Sequence, residues 1–424
     1  MCGICGVVYC DREQQVEPGL IKKMCDTIVH RGPDDEGFYV RRHVGLGMRR
    51  LSIIDLSTGK QPISNEDGKI WIVFNGEIYN HKELRKELEH YGHQFKTQTD
   101  TEAIVHAYEE YGENCVQKLN GMFAFAIWDQ QKNQIFLARD RVGIKPLYYF
   151  FDKKRLIFGS ELKSILQAGD IPRRIDLQAL DNFLTLEYIP APLSIFQDIR
   201  KLAPGHTLTF KNNDISIRNY WDVELKTNRA PLSELKTNLR DLLQDSVKIR
   251  LMSDVPLGAF LSGGVDSSTI VALMAQVMDQ PVKTFSIGFE DSTYNELEYA
   301  RLIAKTFKTD HHEFIIKPDA VELSDTLLKF LDEPFGDFSI FPTYLVSKMA
   351  REYVTVVLSG DGGDELFAGY DTYIADKIAK KYYSRLPRGF RNGVMTKIMD
   401  LIPPSSKKKR LINRAKRFVE GMKL

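Results

Sequence analysis

Long apolar runs are missing from this chain. No stretch of eighteen apolar residues occurs in its 424 residues, so no transmembrane helix is expected. A dominant charge is missing as well: 58 Lys and Arg stand against 57 Asp and Glu, a formal charge of +1. That balance points to neither nucleic acid nor a membrane surface as a dedicated partner. Residues 1–8 carry neither a basic start nor a long apolar stretch, so no signal peptide is expected and a cytoplasmic location follows by default. Cysteine is scarce. The five are Cys2, Cys5, Cys10, Cys25 and Cys115, four of them crowded near the start, which is no disulfide framework. No second Cys/His pair at zinc spacing follows them, which argues against a cysteine metal site. What remains is ordinary globular composition, 43% apolar and 27% charged, with material for two or three domains.

The two halves have different rhythms. The first holds short β-branched or aromatic runs at Lys69–Phe74, Met122–Trp128, Gln134–Arg139, Leu147–Phe151 and Leu156–Gly159, with Gly, Asn or Asp between them. Helical patterns at His81–Tyr91 and Thr101–Tyr111 interrupt these runs. Mixed elements in this order predict a layered α+β domain over residues 1–210. A linker is expected at 211–232. From 233 to 424 helix and strand alternate: Ser233–Leu251, Pro256–Leu261, Ser267–Met278, Lys283–Ile287, Asn295–Phe307, His312–Ile316 and Tyr353–Ser359. Such alternation predicts βαβ units and a parallel sheet. The basic run Lys407–Arg410 reads as a solvated helix start in a chain of near-neutral charge. His311 and His312 are poor metal ligands as a pair, because adjacent residues on a strand point in different directions.

Cys2 carries the first chemical signal. Removal of Met1 would leave a cysteine with a free α-amino group, and an amine beside a thiol can take its proton. Met1-Cys-Gly-Ile-Cys-Gly-Val resembles the start of class II glutamine amidotransferases. The resemblance continues through His30-Arg-Gly-Pro-Asp34, Arg50-Leu-Ser-Ile-Ile-Asp55, Asn75-Gly-Glu-Ile-Tyr-Asn80, Thr99-Asp-Thr-Glu102 and Arg139-Asp-Arg-Val-Gly-Ile-Lys-Pro146, all in order. It implies an N-terminal-nucleophile (αββα sandwich) domain in which Cys2 attacks the glutamine side-chain amide. The Asn75 amide and the Gly76 N–H are implied as donors to the oxyanion. Arg50 is implied for the glutamine carboxylate, with Glu77 and Asp100 for its ammonium. Asn75-Gly76 also reads as a hairpin turn, and turn and oxyanion hole are expected to coincide. His30 is expected to stabilise a loop, since the amine already serves as base.

The second signal is Leu261-Ser-Gly-Gly-Val-Asp-Ser-Ser268, which follows an apolar run and opens a helix. Small residues let backbone N–H groups close on an anion at a helix N-terminus. The Gly-Lys-Ser/Thr ending of a Walker loop is absent, which disfavours γ-phosphate transfer. The segment resembles the loop of N-type ATP pyrophosphatases, and Phe285–Phe289, Asp332–Asp337 and Ser359–Tyr370 match the same family in order. That resemblance implies an α/β parallel-sheet domain that binds ATP through Leu261, Ser262, Gly263, Gly264, Asp266, Ser267, Ile287, Ser359 and Gly360. It implies Asp266 and Asp364 as Mg²⁺ ligands, and Asp332–Asp337 as an acidic loop beside the active site. Asp361 stands where asparagine synthetases often carry Glu, at the position assigned to assist proton removal from attacking ammonia.

Together the halves resemble the glutamine-hydrolysing asparagine synthetase family. The resemblance implies that ammonia from glutamine crosses an internal tunnel to an acyl-adenylate of aspartate, forming asparagine, AMP and pyrophosphate. Another small or sugar carboxylate as acceptor is the alternative that Asp361 raises. Phosphosugar amidotransfer shares the cysteine start and is contradicted by residues 261–268. Family members are often dimeric and usually continue well past this length, with a basic residue that contacts the ATP phosphates. The synthetase half is therefore expected to be incomplete at its carboxyl end, and a glutaminase or ATP-binding fragment unable to complete synthesis is the remaining alternative.

Overall fold

The strand-rich half builds two six-stranded antiparallel sheets. The protein is described here by a computed structural model covering residues 1–289, 297–316, 320–387, 391, 396–402 and 411–421. The strands are β1 (Gly3–Tyr9), β2 (Asp35–Arg41), β3 (Val44–Arg50), β4 (Ile63–Ser64), β5 (Ile70–Ile78), β6 (Gly121–Asp129), β7 (Gln134–Arg139), β8 (Tyr148–Phe151), β9 (Arg155–Gly159), β10 (Ile199–Lys201), β11 (His206–Lys211) and β12 (Asp214–Asn219). One sheet runs β10-β8-β9-β1-β3-β2, the other β12-β11-β7-β6-β5-β4.

Three apolar layers hold the sheets and helices together. Ile4, Val8, Leu46, Met48, Val73, Ala126, Leu137 and Phe158 are buried in one cluster drawn from both sheets. Leu84, Leu88, Ile104 and Tyr108, from helices His81–His90 and Asp100–Tyr111, cover the outer face of the second sheet. Ile21 and Met24 of helix Pro18–Asp26, with Ala179 of helix Leu177–Leu186, cover the first. Each fully buried Leu, Ile or Phe contributes about 1.5–3 kcal/mol. The architecture is the expected αββα sandwich. β1 lacks an alternating pattern because both of its faces are covered, and all but its last residue are buried.

The expected linker at 211–232 starts too early. β11 and β12 form a hairpin whose central Asn212 and Asn213 have φ of 52° and 61°, the left-handed conformation a two-residue hairpin needs. β12 is an edge strand, mostly exposed, so its polar sequence resembles a connector. Tyr220 is buried and packs with the first unit, and the irregular segment begins after it.

The second unit contains β13 (Leu257–Phe260), β14 (Lys283–Phe289), β15 (Asp310–Ile316) and β16 (Val356–Leu358), all parallel in the order β15-β14-β13-β16. Helices Leu232–Arg250, Val265–Val277, Leu297–Phe307 and Ile340–Ala350 accompany them. From β13 the chain passes to β14 on one side, and β16 returns on the other. Parallel sheets leave a crevice at the carboxyl ends of strands where the winding reverses in this way. Lys407–Arg410 and Asn295 lie outside the described residues.

Candidate active sites

The first site gathers at one end of the sandwich. Cys2 immediately precedes β1, and its Sγ accepts from the Leu51 N–H at 3.4 Å, just past the end of β3. Arg31 Nε donates to the Cys2 carbonyl at 3.0 Å. Asn75, Gly76 and Glu77 do not form the expected turn. They lie inside β5, paired with Ala124, Phe123 and Met122 of β6. Strand pairing needs close approach at Gly76, where a Cβ would stand 2.2 Å from the Met122 carbonyl oxygen. Asn75 is fully buried, and neither its amide oxygen nor its nitrogen has a hydrogen-bond partner. Such orphaned amides are rare in folded interiors and mark a place where a partner is missing.

Asp100 opens helix Asp100–Tyr111, where the Thr99 hydroxyl caps the Thr101 N–H. Its Oδ2 accepts from the Ile78 N–H at 2.8 Å, which places it against the end of β5. Burial, followed by the Asp100 charge, raises the Glu77 carboxyl well above the usual range, and burial raises Asp100 too. Neighbouring carboxyls resist ionising together, and the charges of Lys145 and the terminal amine oppose this for Glu77 without overcoming it. Arg50 is buried, and its Nη2 donates to the carbonyls of Ile54 and Asp55 at 3.0 and 2.6 Å. Burial pushes the Cys2 thiol up, opposed by the Leu51 N–H and by the positive charges of the terminal amine and Lys145. Lys145 lies within the Arg139–Pro146 motif, whose resemblance assigns it no role. It is buried, its Nζ donates to Met1 Sδ at 2.9 Å, and burial lowers its pKa. No local pattern singles it out, because its neighbours come from distant strands.

The second site is the crevice of the parallel sheet. A cavity of about 690 Å³ is lined by Leu261, Ser262, Asp266, Ser267, Ile287, Ser359, Gly360, Asp361 and Asp364, among others. Gly263 has φ +81°, and a Cβ there would lie 2.5 Å from the Tyr299 Cβ. Gly264 caps helix Val265–Val277. The Ser262 and Ser267 hydroxyls lie 3.0 Å apart, and the Gly264 N–H donates to Ser262 Oγ at 3.2 Å, which holds the loop closed on itself. The Leu261 N–H is used in the sheet, donating to the Phe285 carbonyl at 2.9 Å.

The loop after β16 packs directly on this one. A Cβ at Gly360 would sit 2.7 Å from the Ser267 nitrogen, and one at Gly363 would sit 2.7 Å from Asp266 Oδ2. Glycine therefore brings both loops and the carboxylates of Asp266 and Asp364 to one cavity. Hard oxygen donors of this kind fit a Mg²⁺ ion arriving with a nucleotide. Asp361 is exposed and accepts from the Ser359 hydroxyl at 2.8 Å.

Asp332 and Glu333 do not line that cavity. They face the first unit, where Lys163 Nζ lies 3.2 Å from Asp332 and Lys201 pairs with Glu333. Burial raises both carboxyls, so cation partners from across the interface are what keep them there. With Arg31, Tyr148, Glu161 and Phe330 they line a second cavity of about 350 Å³. His30 belongs to this boundary, 2.9 Å from Glu161 and with its ring 5.1 Å from that of Phe330. A second bridge joins the units near the first site. The Asp55 N–H donates to Asp254 at 2.8 Å, and the Asp254 N–H donates to the Ile53 carbonyl at 3.0 Å.

Comparison with known proteins agrees with this layout. Residues 1–221 match the glutamine amidotransferase domain family, and residues 238–423 match the asparagine synthase family. An asparagine synthetase [glutamine-hydrolyzing] of Methanocaldococcus jannaschii, named as putative, is 44% identical over 92% of this chain and 79% of its own length. The chain belongs to the glutamine-hydrolysing asparagine synthetase family. Asparagine synthetase [glutamine-hydrolyzing] 1 of Bacillus subtilis is 40% identical over 98% of this chain and 66% of its own length. Asparagine synthetase [glutamine-hydrolyzing] 3 of the same organism is 36% identical over 87% and 63% respectively. The chain thus spans about two thirds of the length of these two asparagine synthetases.

Proposed function

We propose that this protein hydrolyses glutamine at Cys2 and uses the ammonia to amidate a carboxylate activated by ATP, with aspartate as acceptor and asparagine as product. The observation that carries the reading is one chain holding both halves of the chemistry: a terminal thiol that feels the charge of Glu77, two residues from an orphaned buried amide at Asn75, and a glycine-packed cavity lined by carboxylates. Once Met1 is removed, the freed amine accepts the Cys2 proton and Sγ attacks the glutamine amide carbon. Asn75 and the Gly76 N–H stabilise the oxyanion, and Arg50, Glu77 and Asp100 hold the zwitterion. The C–N bond breaks, ammonia leaves and water then releases glutamate from the thioester. In the crevice an oxygen of the acceptor carboxylate attacks the α-phosphorus of ATP, and pyrophosphate leaves. Leu261–Gly264, Ser267, Ile287, Ser359 and Gly360 orient the nucleotide, and Asp266 and Asp364 would hold Mg²⁺, which neutralises phosphate charge. Ammonia then displaces AMP with Asp361 taking up a proton. The cavity at Arg31, one hydrogen bond from Cys2, favours passage of ammonia between the units.

Asp361 favours a second reading in which the acceptor is another small carboxylate, since its carboxyl reaches one methylene less than Glu would. The deciding experiment supplies the purified chain with glutamine, Mg-ATP and either aspartate or a panel of carboxylates. Expected are equimolar AMP, pyrophosphate and asparagine, and a Cys2→Ala protein that makes asparagine only from free ammonia. ADP and orthophosphate as products, or glutamine hydrolysis by Cys2→Ala, would overturn the mechanism. Amide formation from a different carboxylate would move the reading to that acceptor. Glutaminase activity with no amide formed would leave only the first half of it.

A further inference from the structure

On the outer side of the first unit, four side chains unconnected with either site converge. Glu66 follows β4, His93 follows helix His81–His90, and His106 and Glu109 lie one turn apart on helix Asp100–Tyr111. One ligand atom from each falls within 4.8 Å of all the others. His93 Nδ1 is 3.3 Å from Glu66 and 3.5 Å from Glu109, and His106 Nδ1 is 3.5 Å from each of the same carboxylates. A tetrahedral ion with bonds of about 2.0–2.2 Å separates its ligands by about 3.3–3.6 Å. Glu66 faces His93 with Oε1 and His106 with Oε2, so with one oxygen taken from each carboxylate three edges of such a tetrahedron are already in place.

The independent observation is His106 itself. It is fully buried, and neither ring nitrogen has a hydrogen-bond partner. Burial opposes its charge, but Glu102, Glu109 and Glu66 at 3.5–3.7 Å raise its pKa to about 9. At those separations the carboxylates pair with the ring without a hydrogen bond to either nitrogen, which leaves the nitrogens open to an ion. The shell behind the ligands is arranged as metal sites arrange it. Glu102 Oε1 stands 3.7 Å from His106 Nε2, and Glu110 Oε2 stands 3.4 Å from His93 Nε2, so each ring has a carboxylate on the side away from the centre. Glu102 is fixed by the N–H groups of Lys96 and Thr97, both at 2.7 Å. The Gln94 N–H donates to Glu66 at 2.9 Å, and Asn65 Nδ2 donates to Glu109 at 2.9 Å.

We propose that Glu66, His93, His106 and Glu109 bind one divalent transition-metal ion of the zinc class. Binding displaces the proton that the carboxylates hold on His106. Two neutral imidazoles and two carboxylates then balance a dication, and imidazole with carboxylate suits zinc better than magnesium. Four protein ligands leave no open position, which makes the site structural. The ion ties the segments at 66 and 93 to the helix that begins with Asp100. This inference does not rest on the reading of either catalytic site.

The test uses the full chain carrying Cys2→Ala, to remove the reactive thiol, and stripped with a chelator. Zn²⁺ is titrated by calorimetry in excess Mg²⁺, which occupies the carboxylates of the nucleotide cavity. One Zn²⁺ per chain is expected. Co²⁺ should give the visible absorption of a tetrahedral ion without thiolate charge transfer. Because His106 is buried and its removal could unfold the domain, the variants are Glu109→Gln and His93→Gln nearer the surface, each checked for an unchanged metal-free melting curve. Each should weaken Zn²⁺ binding by at least about tenfold, on the scale seen when metal sites lose supporting groups. A folded chain that takes up no Zn²⁺, or binding that survives both substitutions, overturns the proposal.

Discussion

At the scale of single residues, Asn75 and Glu77 are held in costly states that the proposed glutamine site would relieve. The Asn75 amide is buried without a partner, which is costly in the free protein, and in the proposed mechanism the oxyanion supplies that partner. Asn75→Ala should therefore lower the turnover of glutamine hydrolysis by roughly a hundred- to a thousand-fold. Ammonia-dependent synthesis and the melting temperature should stay level, and a coupled glutamate assay with thermal unfolding reads both. Glu77 responds to pH. Burial and the Asp100 charge raise its folded pKa, so its protonated form stabilises the free protein. That contribution is fully present below the ordinary glutamate value and is lost as pH rises through the raised one. The free wild-type protein should lose stability toward alkaline pH, and Glu77→Gln should lose less, seen as a melting-temperature gap that widens with pH. Glutamine, whose ammonium prefers the ionised pair, should show a KM that falls over the same rise for the wild type. In Glu77→Gln that KM should be higher throughout.

At the scale of elements, the two loops of the nucleotide cavity depend on each other's lack of side chains. Gly360→Ala places a methyl 2.7 Å from the Ser267 nitrogen and 2.8 Å from the Asp266 Cβ, which only loop separation can relieve, at about 1–3 kcal/mol. Nucleotide-dependent pyrophosphate release should be lost while glutamine hydrolysis continues, and running both assays on one preparation checks this. The core strands of this half were legible because parallel strands covered on both faces read as apolar runs. β1 and β12 were not. The first carries glycines and no alternation, and the second is an exposed edge. The Asn75-Gly76 pair misled for a related reason: its composition is that of a turn, but pairing with β6 decides its conformation.

At the scale of the whole molecule, the units meet through buried charge. Lys163 and Lys201 from the first unit neutralise Asp332 and Glu333 of the second. The resemblance implies that these acids belong to a loop beside the active site, and position along the chain cannot tell a cavity lining from an interface. Asp254 makes a separate connection. By accepting from the Asp55 N–H it steadies the segment whose carbonyls hold Arg50. Asp254→Ala should raise the KM for glutamine a few-fold, in line with about 0.5–1.5 kcal/mol for a hydrogen bond. Ammonia-supported pyrophosphate release should be unchanged, so the ratio of glutamine- to ammonia-dependent rates measures the effect.

Sequence motifs, through the family they resemble, determined the class of each half and pointed to candidate residues for each centre, because motifs of glycine, cysteine and carboxylate in fixed order can be matched to a family without any structure. Sequence also determined the alternation that makes the second sheet parallel. The tertiary structure decided what no spacing records: that Lys145 joins Cys2, that the acids at 332 and 333 serve the boundary, and that two histidines and two glutamates from three segments share one centre. Those are distances between strands and loops far apart in the chain, and they exist only once burial has packed the layers together.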